Sequence, residues 1–144
     1  MKRFFLVAEH STFMSAALLL VRLVAGLAFV LHGWDKMRNP LGWMGPDAFA
    51  PPMFQALAAI AEFGGGLGWL AGLLTPLASF GILCTMTVAA ASMTFKFGAP
   101  FVSPTGGASS ELALVYWSLA VLFIVVGPGR FSADGLVFGS RARA

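Results

Sequence analysis

Long apolar stretches, separated by short polar or glycine- and proline-rich segments, dominate the pattern of this chain. Four windows, at about residues 14–34, 54–74, 77–97 and 110–127, are nearly free of charged residues. About 20 mostly apolar residues span the roughly 30 Å hydrocarbon core of a bilayer, where the backbone must form its hydrogen bonds internally. The pattern therefore predicts an all-α integral membrane protein, a four-helix bundle that crosses the bilayer four times.

The segments between the windows predict the domain organisation. Thr75-Pro76 joins the second and third windows so closely that the two helices must be antiparallel neighbours. Residues 39–53 are apolar but interrupted by proline and glycine, which predicts a non-helical cap at the membrane interface. We expect an N-terminal segment over residues 1–13, one membrane domain over 14–135 and a basic tail over 136–144.

The composition agrees with this pattern and excludes several classes of protein. Hydrophobic residues make up 58% of the chain and charged residues 10%, whereas a soluble domain carries about 25% charged residues. The net charge of +3 is not gathered into a basic stripe, so we expect no nucleic acid partner. Cys84 is the only cysteine, which excludes a disulfide within the chain and a dithiol mechanism. Redox chemistry would therefore need a bound cofactor or a partner protein.

Lysine and arginine near the helix ends predict the orientation. More basic residues fall on the side that holds both termini than on the opposite side. This predicts a multi-pass protein of the inner (plasma) membrane with both termini in the cytoplasm. The first group is Lys2, Arg3, Arg130, Arg141 and Arg143, and the second is Lys36, Arg38 and Lys96.

Two ionisable residues lie deep within the apolar windows. Arg22 and Glu62 enter their windows from opposite sides, and their predicted depths differ by about 6 Å at a rise of 1.5 Å per residue. One interpretation is a structural ion pair that fixes the helix register. The other is that Glu62 is a proton-active or ligand-binding carboxylate whose charge state Arg22 maintains.

Further polar and aromatic side chains are candidates for a site. His32 and Lys36 share one face of the first helix at i, i+4 spacing, and Glu111 opens the fourth helix. Interface anchoring and a favourable helix dipole are their structural interpretations. Trp69 and Tyr116 are candidates to line a slot for a flat ligand beside small residues. The spacing of the histidine and carboxylates is not that of a metal site, so we expect no metal.

The second helix also carries a glycine stripe. Gly64, Gly68 and Gly72 recur every four residues, which predicts close approach of another helix, from this chain or from a second copy.

Three motifs occur in a characteristic order. Residues 31–36 read LHGWDK and are similar to an HGxxK signature. Residues 61–75 contain AEFGGG and GLLT, similar to an AExxGG…GLxT pattern, and residues 127–134 read GPGRFSAD, similar to GPGRxSxD. Their order and spacing resemble those of the DoxX family across residues 15–135.

The resemblance implies a four-helix membrane protein with a redox association. DoxX-type relatives include the membrane subunit of a thiosulfate:quinone oxidoreductase, and others are thought to be membrane partners of sulfurtransferases and superoxide-detoxifying enzymes. This implies a membrane redox subunit, with quinone as its cofactor and an oxidoreductase or sulfurtransferase as its protein partner. In that hypothesis the catalytic residues are Glu62 and His32, and the quinone-binding residues are Arg22, Lys36, Trp69, Glu111 and Tyr116.

Two other functions remain open at this point. A non-enzymatic scaffold or assembly factor for a soluble partner is favoured because redox thiols and haem or flavin motifs are missing from the sequence. A small-solute transporter is the other, with Arg22 and Glu62 lining a path. Four helices are few for a transporter, so this function would require an oligomer.

Overall fold

The structure, a computed structural model, describes residues 5–141. Lys2, Arg3 and Arg143, which contributed to the predicted orientation, lie outside these residues. The elements in chain order are β1 (Val7–Ala8), α1 (Thr12–Arg38), α2 (Pro52–Ala71), α3 (Thr75–Ala91), a π-helical continuation of α3 (Ser92–Lys96), α4 (Glu111–Val126), α5 (Ala133–Phe138) and β2 (Ser140–Arg141).

The predicted all-α class is confirmed, and each of the four apolar windows falls on a long helix. The largest difference is at the ends of the first two windows. α1 continues to Arg38, so its 27 residues extend about 40 Å at 1.5 Å per residue. α2 stops at Ala71 because Gly72 adopts the left-handed conformation, with φ of 64°, and caps the helix.

The four long helices pack in chain order, α1 against α2, α2 against α3 and α3 against α4. Side chains from all four meet in one buried apolar core. The Trp69 ring lies at its centre, with edge-on contacts to Phe29 and to Phe123 at centroid distances of 5.5 and 4.9 Å. The core residues are Leu18, Ala25, Phe29, Trp69, Ile82, Met86, Ala120 and Phe123.

The outward faces of the helices are apolar as well. A water-soluble protein seldom leaves apolar patches of this extent exposed, whereas lipid-facing helices do so throughout. Two helices, Thr12–Arg38 and Thr75–Lys96, are long and apolar enough to cross a membrane, and Glu111–Val126 is a shorter apolar helix. Exposed residues on these faces include Leu20, Val24, Leu27, Leu57, Ile60, Phe80, Val88 and Val125.

The long helices have two ends that differ in their connections. At one end, called here the terminal end, α1 begins, α2 passes into α3 through a tight turn and α4 finishes. The described terminal segments meet there, because β1 pairs in parallel with β2 and His10 Nε2 lies 3.0 Å from the Val126 carbonyl oxygen. At the other, called the far end, the loops at residues 39–51 and 97–110 make the connections.

Candidate functional site

Close contact between α1 and α2 positions the charged side chains of the far end. A Cβ atom on Gly66 would lie 2.7 Å from the Val30 nitrogen and 2.9 Å from the Gly26 carbonyl oxygen, so only glycine permits this approach. Nearer the far end, Gly33 packs directly against the backbone of Phe63. The antiparallel helices therefore remain in backbone contact almost to the end of α1.

Lys36 and Glu62 form an ion pair where this contact reaches the far end. Lys36 Nζ lies 2.5 Å from Oε1 and 2.6 Å from Oε2 of Glu62. The Glu62 side chain is 5% exposed and the Lys36 side chain is 23% exposed. An ammonium group has three N–H donors, and within residues 5–141 Lys36 has no acceptor besides this carboxylate. The carboxylate is thus enclosed, while the ammonium keeps a free donor and an open surface.

The loop before α2 packs against one side of this pair. The Trp43 ring centroid lies 4.4 Å from Lys36 Nζ, a cation–π contact. Gln55, which is 3% exposed, holds the loop in place. Its side chain accepts a hydrogen bond from the Met44 N–H at 3.0 Å and donates one to the Ala50 carbonyl at 2.8 Å. The predicted non-helical cap is therefore present, and it is fixed by one buried amide.

Arg22 does not pair with Glu62, so the predicted ion pair is wrong. Helix-end carbonyl groups lack donors within their own helix, and the planar guanidinium supplies several in a fixed geometry. Lys36, not Arg22, lies within reach of Glu62. Arg22 Nε donates to the Trp69 carbonyl at 2.8 Å, Nη1 to the Pro128 and Phe131 carbonyls at 2.7 and 3.1 Å, and Nη2 to the Leu70 carbonyl at 3.4 Å.

Asp134 completes the terminal end beside Arg22. Its Oδ1 accepts a hydrogen bond from the Leu74 N–H at 2.7 Å and its Oδ2 accepts one from the Thr75 N–H at 2.9 Å. The Asp134 N–H donates to the Gly72 carbonyl at 2.8 Å. Leu74 has a φ of 48°, which is unusual for a branched residue. The segment after α4 thus holds the tight α2–α3 turn in place.

The exposed candidates lie at the far end without joining the ion pair. His32 is exposed and forms no hydrogen bond or ion pair within residues 5–141. Glu111 is exposed at the start of α4, where its backbone N–H donates to the Phe101 carbonyl at 3.0 Å. Both side chains are therefore open to solvent at the far end, but neither is held in a fixed geometry.

The aromatic candidates lie in the core instead. Trp69 is fully buried, and its Nε1 donates to Ser79 Oγ at 2.9 Å. The Tyr116 ring packs edge-on against Phe29 at a centroid distance of 4.8 Å. Trp69 has no surface left for a ligand, so its predicted contact with quinone has no support in this geometry.

The predicted slot beside Glu62 is filled by neighbouring helices. A Cβ atom on Gly65 would lie 2.9 Å from side-chain atoms of Ile82, and Gly66 lies against α1. The small residues on this face of α2 serve helix packing and leave no space for a flat ligand between the helices.

The glycine stripe of α2 is divided among different neighbours. A Cβ atom on Gly68 would lie 2.8 Å from the Ala78 Cβ, and one on Gly72 would lie 2.7 Å from the Arg22 guanidinium. Among the three, Gly64 faces open space, and a Cβ atom on it would meet no atom of residues 5–141 within 4 Å. Two of these glycines are therefore used within the chain, and homo-oligomerisation remains a prediction that this stripe does not explain.

Sequence reasoning missed Gln55 and Trp43 as parts of the far end. A usable indication existed, because Gln55 and Glu62 are seven residues apart and lie on one buried stripe with Ala59, Gly66 and Trp69. A buried amide two turns from a buried carboxylate, next to a tryptophan-containing loop, predicts a polar contact between that loop and the helix.

Comparison with known families decides the membership of this chain. A sequence model of the DoxX family matches residues 17–95, more than half of the chain. The chain belongs to the DoxX family. The matched residues include both Lys36 and Glu62, whereas the GPGRFSAD stretch follows them. Neither the curated proteins nor the solved structures that were searched gave a match.

The three DoxX-like motifs have separate structural tasks in this chain. The first supplies Gly33 for the helix contact and Lys36 for the ion pair. The second supplies Glu62 and the glycines of the helix contact, and it ends in the capped turn at Gly72. The third supplies the Asp134 carboxylate that holds this turn. The first two motifs meet at the Lys36–Glu62 ion pair, and the third also places the exposed Arg130 at the terminal end.

Proposed function

We propose that this DoxX-family chain is the membrane subunit of a redox system and that Lys36 binds the polar head of a quinone. One observation carries the proposal: a lysine ammonium in an apolar helical protein keeps an unused N–H donor and an open surface beside an aromatic ring. Ionisable groups at such positions are energetically costly, and in membrane proteins they commonly mark functional sites.

The proposal includes four membrane spans with both termini in the cytoplasm. The apolar outward faces of the long helices and the DoxX membership support it. A C-terminal green fluorescent protein fusion should fluoresce, and an alkaline phosphatase fusion after Gly106 should be active. An active phosphatase at the C-terminus would reverse the proposed orientation.

The residues at the far end match the chemistry of a quinone head. Its carbonyl oxygens are hydrogen-bond acceptors on a flat ring, and its long tail is apolar. Lys36 offers the donor, Trp43 offers an aromatic wall, and the apolar outward faces of the helices can accommodate the tail. Because the space beside Glu62 is filled, the ring would bind at the open edge of Lys36 and not between α1 and α2.

The bound quinone would supply the electron-accepting chemistry of the system. Lys36 would orient the head through its free N–H. Glu62 would keep the ammonium in place through two short hydrogen bonds and would be the nearest carboxylate able to hold a proton. His32, exposed one helical turn from Lys36, would carry protons between this pair and water. Arg22 and Trp69 have no part in this revised site.

A protein partner would supply the electrons. Cys84 is the single cysteine and lies exposed on α3, so the chain holds no dithiol of its own. The partner would be a thiosulfate-oxidising or other sulfur- or oxidative-stress-related enzyme, such as a sulfurtransferase, which meets the chain at the membrane surface.

Quinone retention tests this proposal. Lipid extracts of the detergent-purified protein would be analysed by mass spectrometry for the wild type and for Lys36→Gln. Arg38→Gln is the matched control, because it removes an exposed positive charge from the same helix end. We expect about stoichiometric quinone in the wild type and the control, and roughly a tenfold or greater loss in Lys36→Gln, the scale of one charge-assisted hydrogen bond.

Two outcomes would reject the quinone proposal. One is a wild-type protein without quinone, and the other is quinone retention in folded Lys36→Gln equal to that of the wild type. Equal loss in both variants would indicate a general electrostatic effect and would remove the specific role of Lys36.

A scaffold function is the second candidate, and a particular observation favours it. Arg22 and Asp134, the buried charged residues of the terminal end, direct their side chains to backbone groups of this chain. They are committed to holding the fold. If a soluble enzyme copurifies equally with the wild type and Lys36→Gln while neither holds quinone, the scaffold function replaces the redox subunit.

A further inference from the structure

A second accessible charged region lies at the terminal end, where α5 folds back towards α1 and α2. A cleft of about 440 Å³ opens there, between the end of α2 and the segment that follows α4. Its lining combines charged arginine side chains with apolar leucine and alanine side chains. Such a lining suits a ligand that carries both a charged group and an apolar chain.

Arg130 is the charged group available in this cleft. Its side chain is exposed, and Nη1 donates to Thr12 Oγ1 at 3.3 Å. Arg22 also lines the cleft, but it is 1% exposed and is occupied by backbone carbonyls. Asp134 is occupied as well, because its oxygens accept the Leu74 and Thr75 N–H groups. The cleft therefore presents a positive charge with unused donors at its mouth.

The apolar part of the lining faces outward along the helices. Leu19 and Leu70 form the wall between α1 and α2, and Leu136 projects from α5 with 90% of its surface exposed. Val137 beside it is 64% exposed. Such exposure of apolar side chains on a six-residue helix at the terminal end is typical of an element at the lipid interface.

We infer that this cleft binds an anionic glycerophospholipid, with the phosphate against Arg130 and the acyl chains along Leu19 and Leu70. Charge complementarity selects the phosphate, and basic pockets between helices on the cytoplasmic side bind such headgroups in other membrane proteins. A soluble phosphate would leave the leucines uncovered. A zwitterionic lipid would bring a second positive charge towards the arginine.

This inference goes beyond the proposed redox function and depends only on the membrane placement. The quinone contact at Lys36 lies at the opposite end of α1, so loss of either ligand leaves the other measurable. Retained quinone with no bound anionic lipid would reject only the lipid inference, and the reverse result would reject only the quinone.

Native mass spectrometry of delipidated protein tests the lipid inference. Phosphatidylglycerol and phosphatidylcholine with identical acyl chains would be titrated against the wild type, Arg130→Gln and Lys96→Gln. Lys96→Gln is the control, because it removes an exposed charge at the far end. We expect one tightly bound phosphatidylglycerol, about tenfold weaker binding of phosphatidylcholine, and about tenfold weaker phosphatidylglycerol binding in Arg130→Gln only.

A second variant separates the apolar contribution from the charge. Leu136→Ser leaves the arginine in place and alters a side chain that is almost fully exposed, so folding should be unchanged. We expect it to weaken phosphatidylglycerol binding several-fold, and glycerol 3-phosphate to compete poorly with the lipid. Equal binding of the two lipids, an unaffected Arg130→Gln or full competition by glycerol 3-phosphate would overturn the inference.

Discussion

Arg22 and Lys36 lie on the same helix, about 21 Å apart at 1.5 Å per residue, and both contact α2. The two side chains differ in their hydrogen-bond acceptors and in their exposure to solvent. Arg22 donates to four backbone carbonyl groups and is 1% exposed. Lys36 donates to the two oxygens of one carboxylate and keeps 23% of its side chain exposed.

This difference indicates which buried cation serves the fold and which is open to a ligand. A cation whose donors end on backbone carbonyls holds segments that cannot change without unfolding. A cation paired to a side chain, with a donor left over, can exchange or add partners. The comparison therefore predicts large stability effects at the terminal end and smaller, ligand-linked effects at the far end.

The largest effect is expected at Arg22. Arg22→Met removes all of the guanidinium's hydrogen bonds to the carbonyls at the end of α2 and in the segment after α4. We expect a loss of about 4 kcal/mol, because each orphaned buried acceptor costs about 1–3 kcal/mol. Denaturant unfolding in detergent, followed by circular dichroism, would measure it. Arg130→Gln, an exposed arginine at the same end, should change stability little, and equal losses would remove the distinction.

The next effect concerns the helix contact that connects the two ends. Gly66→Ala places a Cβ atom 2.7 Å from the Val30 nitrogen, and overpacking of this kind costs about 1–3 kcal/mol. We expect a loss near the upper limit and weaker quinone retention, since Lys36 and Glu62 depend on this contact. Gly64→Ala on the same helix meets no atom within 4 Å in the described part of the chain and should be neutral. A tolerated Gly66→Ala would refute the tight contact.

A double-mutant cycle at the far end should give intermediate values. Glu62→Gln and Lys36→Gln each leave one member of the pair without its partner. We expect about 2 kcal/mol for each single change, below the about 3–5 kcal/mol of fully buried pairs, because Lys36 is partly exposed. The double variant should cost less than the sum of the two, as measured by the same unfolding assay. Strict additivity would show that the pair is energetically uncoupled.

The smallest effect has the opposite sign. Leu74 holds a left-handed backbone conformation with φ of 48°, which costs about 1 kcal/mol or more for a residue with a Cβ atom. Leu74→Gly relieves that cost and also removes the contacts of a side chain that is 37% exposed, so the two effects partly cancel. We expect a gain of about 0.5 kcal/mol in the free energy of unfolding. A clear loss would show that the leucine side chain contributes more than its backbone strain costs.

The hydropathy pattern was sufficient to predict the helices of this protein. Apolar windows and the Thr75-Pro76 turn are local features, and the corresponding helices and their antiparallel contact follow from them. Their ends were less predictable. α2 stops at the Gly72 cap, and the turn that follows is held by the distant Asp134, whose contacts no local pattern reveals.

The candidate site was predictable in its composition but not in its pairing. Glu62 and Lys36 were both identified from the sequence, yet depth alone favoured Arg22 as the partner of Glu62. Depth along a helix ignores rotation about its axis and the shift between helices that the Gly26–Gly66 contact fixes. It also ignores the backbone carbonyls at helix ends, which lack donors within their own helix and can accept hydrogen bonds from a guanidinium.

The four carbonyls that accept hydrogen bonds from Arg22 belong to segments that are synthesised at different times. Chains are made from the N-terminus, so α1 would enter the membrane with its arginine before any acceptor from another segment exists. The carbonyls of Trp69 and Leu70 would arrive with α2, but those of Pro128 and Phe131 would follow only after α4 has been synthesised. The hydrogen bonds from Arg22 to Pro128 and Phe131 would therefore be among the last to form. Until α4 and the segment after it are in place, the Arg22 guanidinium would have only the Trp69 and Leu70 carbonyls of these four as acceptors.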